Sequence, residues 1–569
     1  MKSAFAATCL ALLASSAWSQ TAPNPMPPGM GAMAHMNHAM PAVYEGQADK
    51  PGAPVFTGMG EHRHPISTRN PDTQRFFDQG VNLMFGFNHA EAIRSFREAA
   101  RLDPDCAMCW WGIAVSLGPN INMTMPADAL APALEALENA KRLSPKASVA
   151  ERAWIDALSQ RYSADPKADR HALDETYAQA MGKIARENPA DLDAATFYAE
   201  ALMDTQPWDY WAADAVTPKG HGAEIVTTLE RVIKADPNHP GALHLYIHAV
   251  EASTTPERAE AAADRLLRLM PQAGHIVHMP GHIYYRVGRY ADAAYVNELA
   301  AAVDEAYIAS CRVQGYYPAG YYGHNIHFLW TSAEMEGRAQ ISIEASRRLV
   351  KAVNAAETAR LYPINEMYAF TPVVSLLRFG RWDAVLAEPM PAPELKLDTA
   401  IQTYARAFAH ANNGNLKAAL ADRKQLLAMS KADFGRYDSA GLPAKQVVAL
   451  ALALTDGEIA RKSGTLDAAV VRFRQAAVIE RALPYTEPPI WHQPVSHVLG
   501  AALLQAGRAK EAEAVYRDGL STYRRDGWAL FGLAQALESQ GKGDDAAATR
   551  VEFKKAWQVS DVTLTSSRF

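Results

Sequence analysis

The sequence predicts an all-α fold, a solenoid of helix–turn–helix repeats. Three observations carry that expectation. Pro237 and Pro271 close successive helical stretches 34 residues apart, and self-similarity at such a period marks a repeat array. A glycine recurs in the turn between paired apolar runs, as in "AEMEGRAQ", "LLRFGRWDA", "HANNGNLKAAL" and "LLQAGRAKEAEAVY". Strand-type alternation of apolar and polar residues is missing along the 569 residues, which leaves helices as the regular element.

Lys2, the apolar "AFAATCLALLA" and the small residues of "AWSQ" read as a cleavable export signal over residues 1–19. Its apolar core is too short to span a bilayer, so a periplasmic or secreted protein without a membrane span is expected. Residues 20–60 read as a Met/His/Pro-rich disordered tail. There His35 and His38, among Met26, Met30, Met33, Met36 and Met40, offer imidazole and thioether ligands that suit copper; a flexible spacer is the plainer reading. Cys106 and Cys109 in "DCAMCWWG" form either a local disulfide or a thiolate metal pair, and no histidine follows them for haem attachment. A hydrophobic content of 49% is that of a globular chain, and a net charge of -6 gives no footprint for nucleic acid or an anionic membrane.

The repeats run over about 70–560. In "FFDQGVNLMFGFNHAEAIRSFREAARLDP", Phe76, Gly80 and Leu83 mark a first helix, Ala92, Phe96 and Ala99 a second, and Pro104 ends the unit. Trp110, Ile113, Ala114 and Leu117 begin the next. "GHIYYRVGRYADAAYVNELAAA" repeats the pattern with Gly281, Tyr284, Gly288, Ala293 and Ala300. Insertions are expected near 118–150, 204–222 and 304–322. Over most of 70–560 the chain resembles the tetratricopeptide-repeat (TPR) family. It also resembles a subgroup of exported bacterial TPR proteins that share "CAMCWWG" and "HMPGHIY"-type stretches. The resemblance implies a TPR-like α-solenoid, a right-handed superhelix with a concave ligand-binding groove.

Numbering each unit from 1 to 34 by its glycine and proline landmarks puts the histidines in register. His244 and His248 take positions 5 and 9, and Glu251 position 12. His275, His278 and His282 take positions 2, 5 and 9 of the next unit, with Tyr285 at 12. His324 and His327 take positions 2 and 5 of a third, and His497 position 5 of a later one. These positions form one stripe about 80° wide on the first helix. The packing face holds Leu243, Tyr246, Ile247 and Val250 instead. In a TPR protein the histidine stripe would line the groove.

An H-x-x-x-H pair places two imidazoles on adjacent turns of a helix. Two such pairs in register on helices packed about 10 Å apart can hold one ion or two close ones. The metal ligands expected are therefore His244, His248, His275, His278, His282, His324, His327 and His497, with Glu251 and Tyr285 as catalytic candidates. His492, just ahead of its helix, is a further candidate. Many imidazoles and few carboxylates favour copper, with iron and zinc as alternatives. No G-x-S-x-G, H-E-x-x-H or phosphate-loop motif is present. The function expected is a copper-dependent oxidoreductase acting on a small substrate, aromatic compounds among the candidates. The alternatives are a non-catalytic copper carrier and a metal-free scaffold holding a peptide or protein in its groove. Pro280 falls inside a repeat's first helix, so that helix is expected either to start there or to kink.

Overall fold

The computed structural model describes residues 40–569 except 45–47, 51, 166, 314 and 315. Residues 1–39, with the expected signal and His35 and His38, lie outside the described residues. Among the described residues there is no strand; two isolated bridges accompany the helices. No described helix is long and apolar enough to cross a membrane.

The chain divides into two compact units, one of Met1–Pro280 with Ala302–Pro318, the other of Gly281–Ala301 with Ala319–Phe569. In the first, helix Pro71–Phe85 packs on His89–Leu102, Ala107–Ser116 on Leu130–Leu143, Arg170–Glu187 on Leu192–Thr205, and Pro240–Val250 on Glu260–Leu269. The same pairing recurs in the second, from Gly323–Met335 with Ala339–Ala352 to Gly527–Glu538 with Gly543–Ala556. This is the TPR-like arrangement of consecutive helix pairs.

Local chemistry explains the pairs. Asn70 accepts N–H bonds from Asp72 and Thr73 and Pro71 takes the first helical position, so the first helix starts cleanly. Phe96 then fills a niche between two glycines. A Cβ on Gly80 or Gly112 would come within 2.5 Å of its ring, so only glycine lets the helices approach this closely. Burying that ring contributes about 2 kcal/mol. Tyr516 occupies the matching niche in the second unit, between Gly500 and Gly532.

The turn glycines adopt left-handed backbone. Gly507 has φ 72°, with nothing within 4 Å of where a Cβ would sit. Its replacement by alanine therefore isolates backbone strain from packing. Gly507→Ala should lower stability by about 1–2 kcal/mol in urea unfolding, with Gly507→Asn costing less; an unchanged midpoint for the alanine variant would remove backbone strain as the reason for glycine.

Two organisational expectations change. Among the described residues of the expected tail over 20–60, Met40, Tyr44, Phe56 and Met59 are buried. Phe56 donates its N–H to Gln79 Oε1 at 2.8 Å, and Gln272 donates its N–H to the Gly58 carbonyl at 3.0 Å. A handful of apolar anchors overrides a Pro/Gly-rich composition. The segment near 118–150 is also no simple insertion, because Leu130–Leu143 is the packing partner of Ala107–Ser116. The 204–222 segment stays irregular apart from a bridge between Trp211 and Pro218. Cys106 and Cys109 form a disulfide at the start of helix Ala107–Ser116.

Candidate metal centre

Helix Pro240–Val250 presents His244 and His248 on successive turns. Its side-chain stripe does not face open surface: relative exposure is 0% for His244, 2% for His248 and 0% for Glu251. His275, from the short helix Gly274–His278, is buried beside them. The Nε2 atoms of His244 and His248 are 3.1 Å apart, and those of His275 and His244 are also 3.1 Å apart. All three offer ligand atoms within 4.8 Å of one another.

The outward nitrogens fix the tautomers. His244 Nδ1–H donates to the Phe85 carbonyl at 2.6 Å. His248 Nδ1–H donates to Glu251 Oε1 at 2.9 Å. A carbonyl and a carboxylate only accept, so each ring carries its proton on Nδ1 and turns an Nε2 lone pair inward. The two Nε2 atoms meet at 3.1 Å, a contact that either a shared proton or a metal ion can bridge. That separation suits two ligands about 2.0 Å from one ion at an angle of roughly 100°. Glu251, expected as a ligand or base, is placed as the carboxylate that orients the His248 imidazole.

Aromatic rings close the cluster. Phe87 lies 6.1 Å from His248 at 6° and 5.4 Å from His275 at 18°, a stacked geometry in both cases. Trp208 sets its edge on His248 with centroids 4.9 Å apart. Phe87 and Trp208 have φ of 55° and 64°, a left-handed conformation that is strained for aromatic residues and concentrates at functional sites.

The remaining sequence candidates divide. His278 is buried with its ring 5.6 Å from that of His275. In the second unit, His282 and His324 bring their Nε2 atoms to 3.5 Å, with Phe328 against both rings. Burial pushes His282 down to about 3, keeping its imidazole neutral and able to ligate. His327, three residues beyond His324, stacks on Trp330 at 5.1 Å and meets the Tyr368 ring edge-on; burial pushes it down to about 3 as well. His497 has both ring nitrogens engaged, Nε2 by Asp526 and Nδ1 by Arg378, so in this arrangement neither is presented to an ion. His492 is buried against Trp491 and Tyr404. Tyr285 places its hydroxyl 3.4 Å from Thr331 Oγ1 and lines a cavity of about 140 Å³ with Glu480, Trp491 and Tyr523. Burial raises its phenol above the ordinary range.

Pro280 begins helix Pro280–Arg286 directly after Gly274–His278. The helix is thus interrupted, yet His275 and His278 still sit on a helical turn. Pro372 opens helix Thr371–Arg378 after Glu366–Ala369 in the same way.

A second cluster escapes the repeat register. Asp193 accepts from His62 Nε2 at 2.8 Å and His239 Nε2 at 3.0 Å on Oδ1, and from His64 Nδ1 at 2.7 Å on Oδ2. Burial alone would raise the Asp193 carboxyl, but the imidazole N–H groups hold it well below the usual range. Burial would lower His64, yet its bond to Asp193 raises it. The sequence did contain a signal: "HRH" puts two imidazoles on one side of an extended segment.

No known family model matches the chain, and no curated protein matches it. Solved structures similar to it include the human IFIT1 dimer with m7Gppp-AAAA, at 12% identity over 86% of this chain and 91% of that chain, with a TM-score of 0.30. The Cut9–Hcn1 hetero-tetramer of the APC/C matches at 12% identity over 86% of this chain and 74% of that one, TM-score 0.28. Yeast Tom70 matches at 12% over 85% and 93%, TM-score 0.27. Likeness this distant leaves the fold to be argued from the helix pairs themselves.

Proposed function

We propose that this chain is an exported metalloprotein that binds copper at His244, His248 and His275 and oxidises a small phenolic substrate with dioxygen as electron acceptor. One observation carries the metal reading: three buried imidazoles converge, two of them with the outward nitrogen already donating. An all-imidazole set suits copper, which supplies a Cu(II)/Cu(I) couple when bound. His282 and His324 offer a further imidazole pair. The Met/His-rich segment and the expected export signal support copper over iron and zinc.

A second reading, a non-catalytic copper carrier, is favoured by burial. The three rings are at most 2% exposed, which closes the centre to a substrate unless the half-exposed Trp208 swings aside. Elemental analysis of the purified protein and an oxygen electrode separate these readings. Near-stoichiometric copper with phenol-dependent dioxygen consumption supports the oxidoreductase. Copper without consumption supports the carrier. Less than about 0.1 equivalent of any transition metal after reconstitution sinks both and leaves a metal-free TPR scaffold.

A further inference from the structure

We propose that the cleft floored by Asp193 is a second metal site, for a borderline divalent cation of the Zn2+ class, with His62 Nε2, the Asp193 carboxylate and His239 Nε2 as ligands. It shares no residue with the three-histidine centre. The three ligand atoms lie within 4.8 Å of one another, and the His62 and His239 rings are 4.7 Å apart at 45°. Imidazole and carboxylate together suit zinc and its neighbours.

The surroundings fit a site open to water. A cleft of about 360 Å³ reaches the cluster, walled by Met108 and Trp154. Asp191, Asp236 and Glu151 line the same cleft, an acidic approach that concentrates cations. Three protein ligands leave coordination positions for water from it. His64 stays outside the set: its Nδ1–H holds Asp193 Oδ2 from behind and turns Oδ1 toward His62 and His239, as the residues around a metal site orient its carboxylates.

Binding must displace what the metal-free cluster holds. His62 and His239 now donate N–H from Nε2 to Asp193, so in each ring that proton must move to Nδ1 before Nε2 can take the ion. His239 Nδ1 also accepts the Ala242 N–H at 3.2 Å and so caps helix Pro240–Val250. Carrying that proton, His239 Nδ1 turns from acceptor to donor and the cap is lost. Occupancy here is thereby felt by the helix that carries His244 and His248.

The test uses the full chain with His244→Ala and His248→Ala, which blinds the first centre. Zn2+ is titrated at pH 7.5 with elemental analysis after desalting, and circular dichroism confirms folding. The expected result is about one equivalent retained, falling more than tenfold when His62→Ala is added and likewise with Asp193→Asn. His62 lies at the cleft edge, so its variant keeps the test valid if Asp193→Asn fails to fold. No retained zinc in the double variant, or retention indifferent to His62→Ala, overturns the site. Either outcome leaves the copper content of the unmodified first centre as a separate measurement.

Discussion

If the proposed copper sits at His244, His248 and His275, His248→Ala should strip the first centre of it. The side chain is one of three converging imidazoles that would hold the proposed copper, and its loss leaves His244 and His275 with an open face that water fills poorly in a buried setting. Affinity should fall by more than about 100-fold, from near one equivalent of copper in the unmodified protein to a trace after dialysis. Glu251→Gln makes the sharper control. Glutamine still reaches His248 Nδ1 with its carbonyl oxygen, so the 2.9 Å hydrogen bond survives while the negative charge goes. The imidazole keeps its orientation and becomes a weaker donor, and affinity should drop by about 10–100-fold without loss of stoichiometry at saturating copper. Measured by competition with a chelator, equal affinities for Glu251→Gln and the unmodified protein would show that Glu251 only fills space. Equal copper content for His248→Ala and the unmodified protein would place the metal elsewhere altogether.

That contrast shows what a sequence reveals about such a centre. His244 and His248 were legible because an i, i+4 pair needs only helical periodicity. His275 was legible because repeat register carries one helix's face to the next. The shell was not. The carbonyl that fixes the His244 tautomer belongs to Phe85, 159 residues earlier, and Phe87 beside it covers the rings through a backbone conformation no composition predicts. Burial followed from these distant contacts, so a stripe expected to line an open groove is an interior site. His497 shows the opposite error. Its register matched the stripe, but Asp526, at the start of the next helix pair, and Arg378 take its two nitrogens. Position on a helix sets direction; the partner waiting in that direction is a long-range property. The Asp193 cluster is the extreme case, joining His62 to a carboxylate 131 residues away across helices with no shared register.

Arg568→Ala should destabilise the second unit by about 3 kcal/mol at pH 7. The chain's last residues fold back on the repeats. Leu564 joins a core with Ala339, Phe379 and Trp528, and Phe569 packs against it. Arg568 forms a two-pronged ion pair with Glu458, at 2.7 and 2.9 Å. Glu458 is fully buried, with Arg461 at 2.7 Å and Asn412 at 2.8 Å as further partners. Burial alone would raise the Glu458 carboxyl; Arg568, then Arg461, hold it at about 2 against an ordinary 4.5. Because the folded value lies below the unfolded one, this stability is fully present above pH 4.5 and is lost as pH falls toward 2. A depression of that size corresponds to about 3 kcal/mol, close to the cost expected for removing one partner of a buried pair. Arg461 remains in the variant and tempers the loss. Urea unfolding of both proteins at pH 7 and pH 3 checks the argument: the gap should be wide at pH 7 and narrow markedly at pH 3. Arg568→Lys should recover only part of it, since an ammonium makes a point contact where the guanidinium makes a fork. A gap independent of pH would assign the effect to packing against Phe408, which the Arg568 guanidinium also overlies at 5.7 Å, and not to the charge on Glu458.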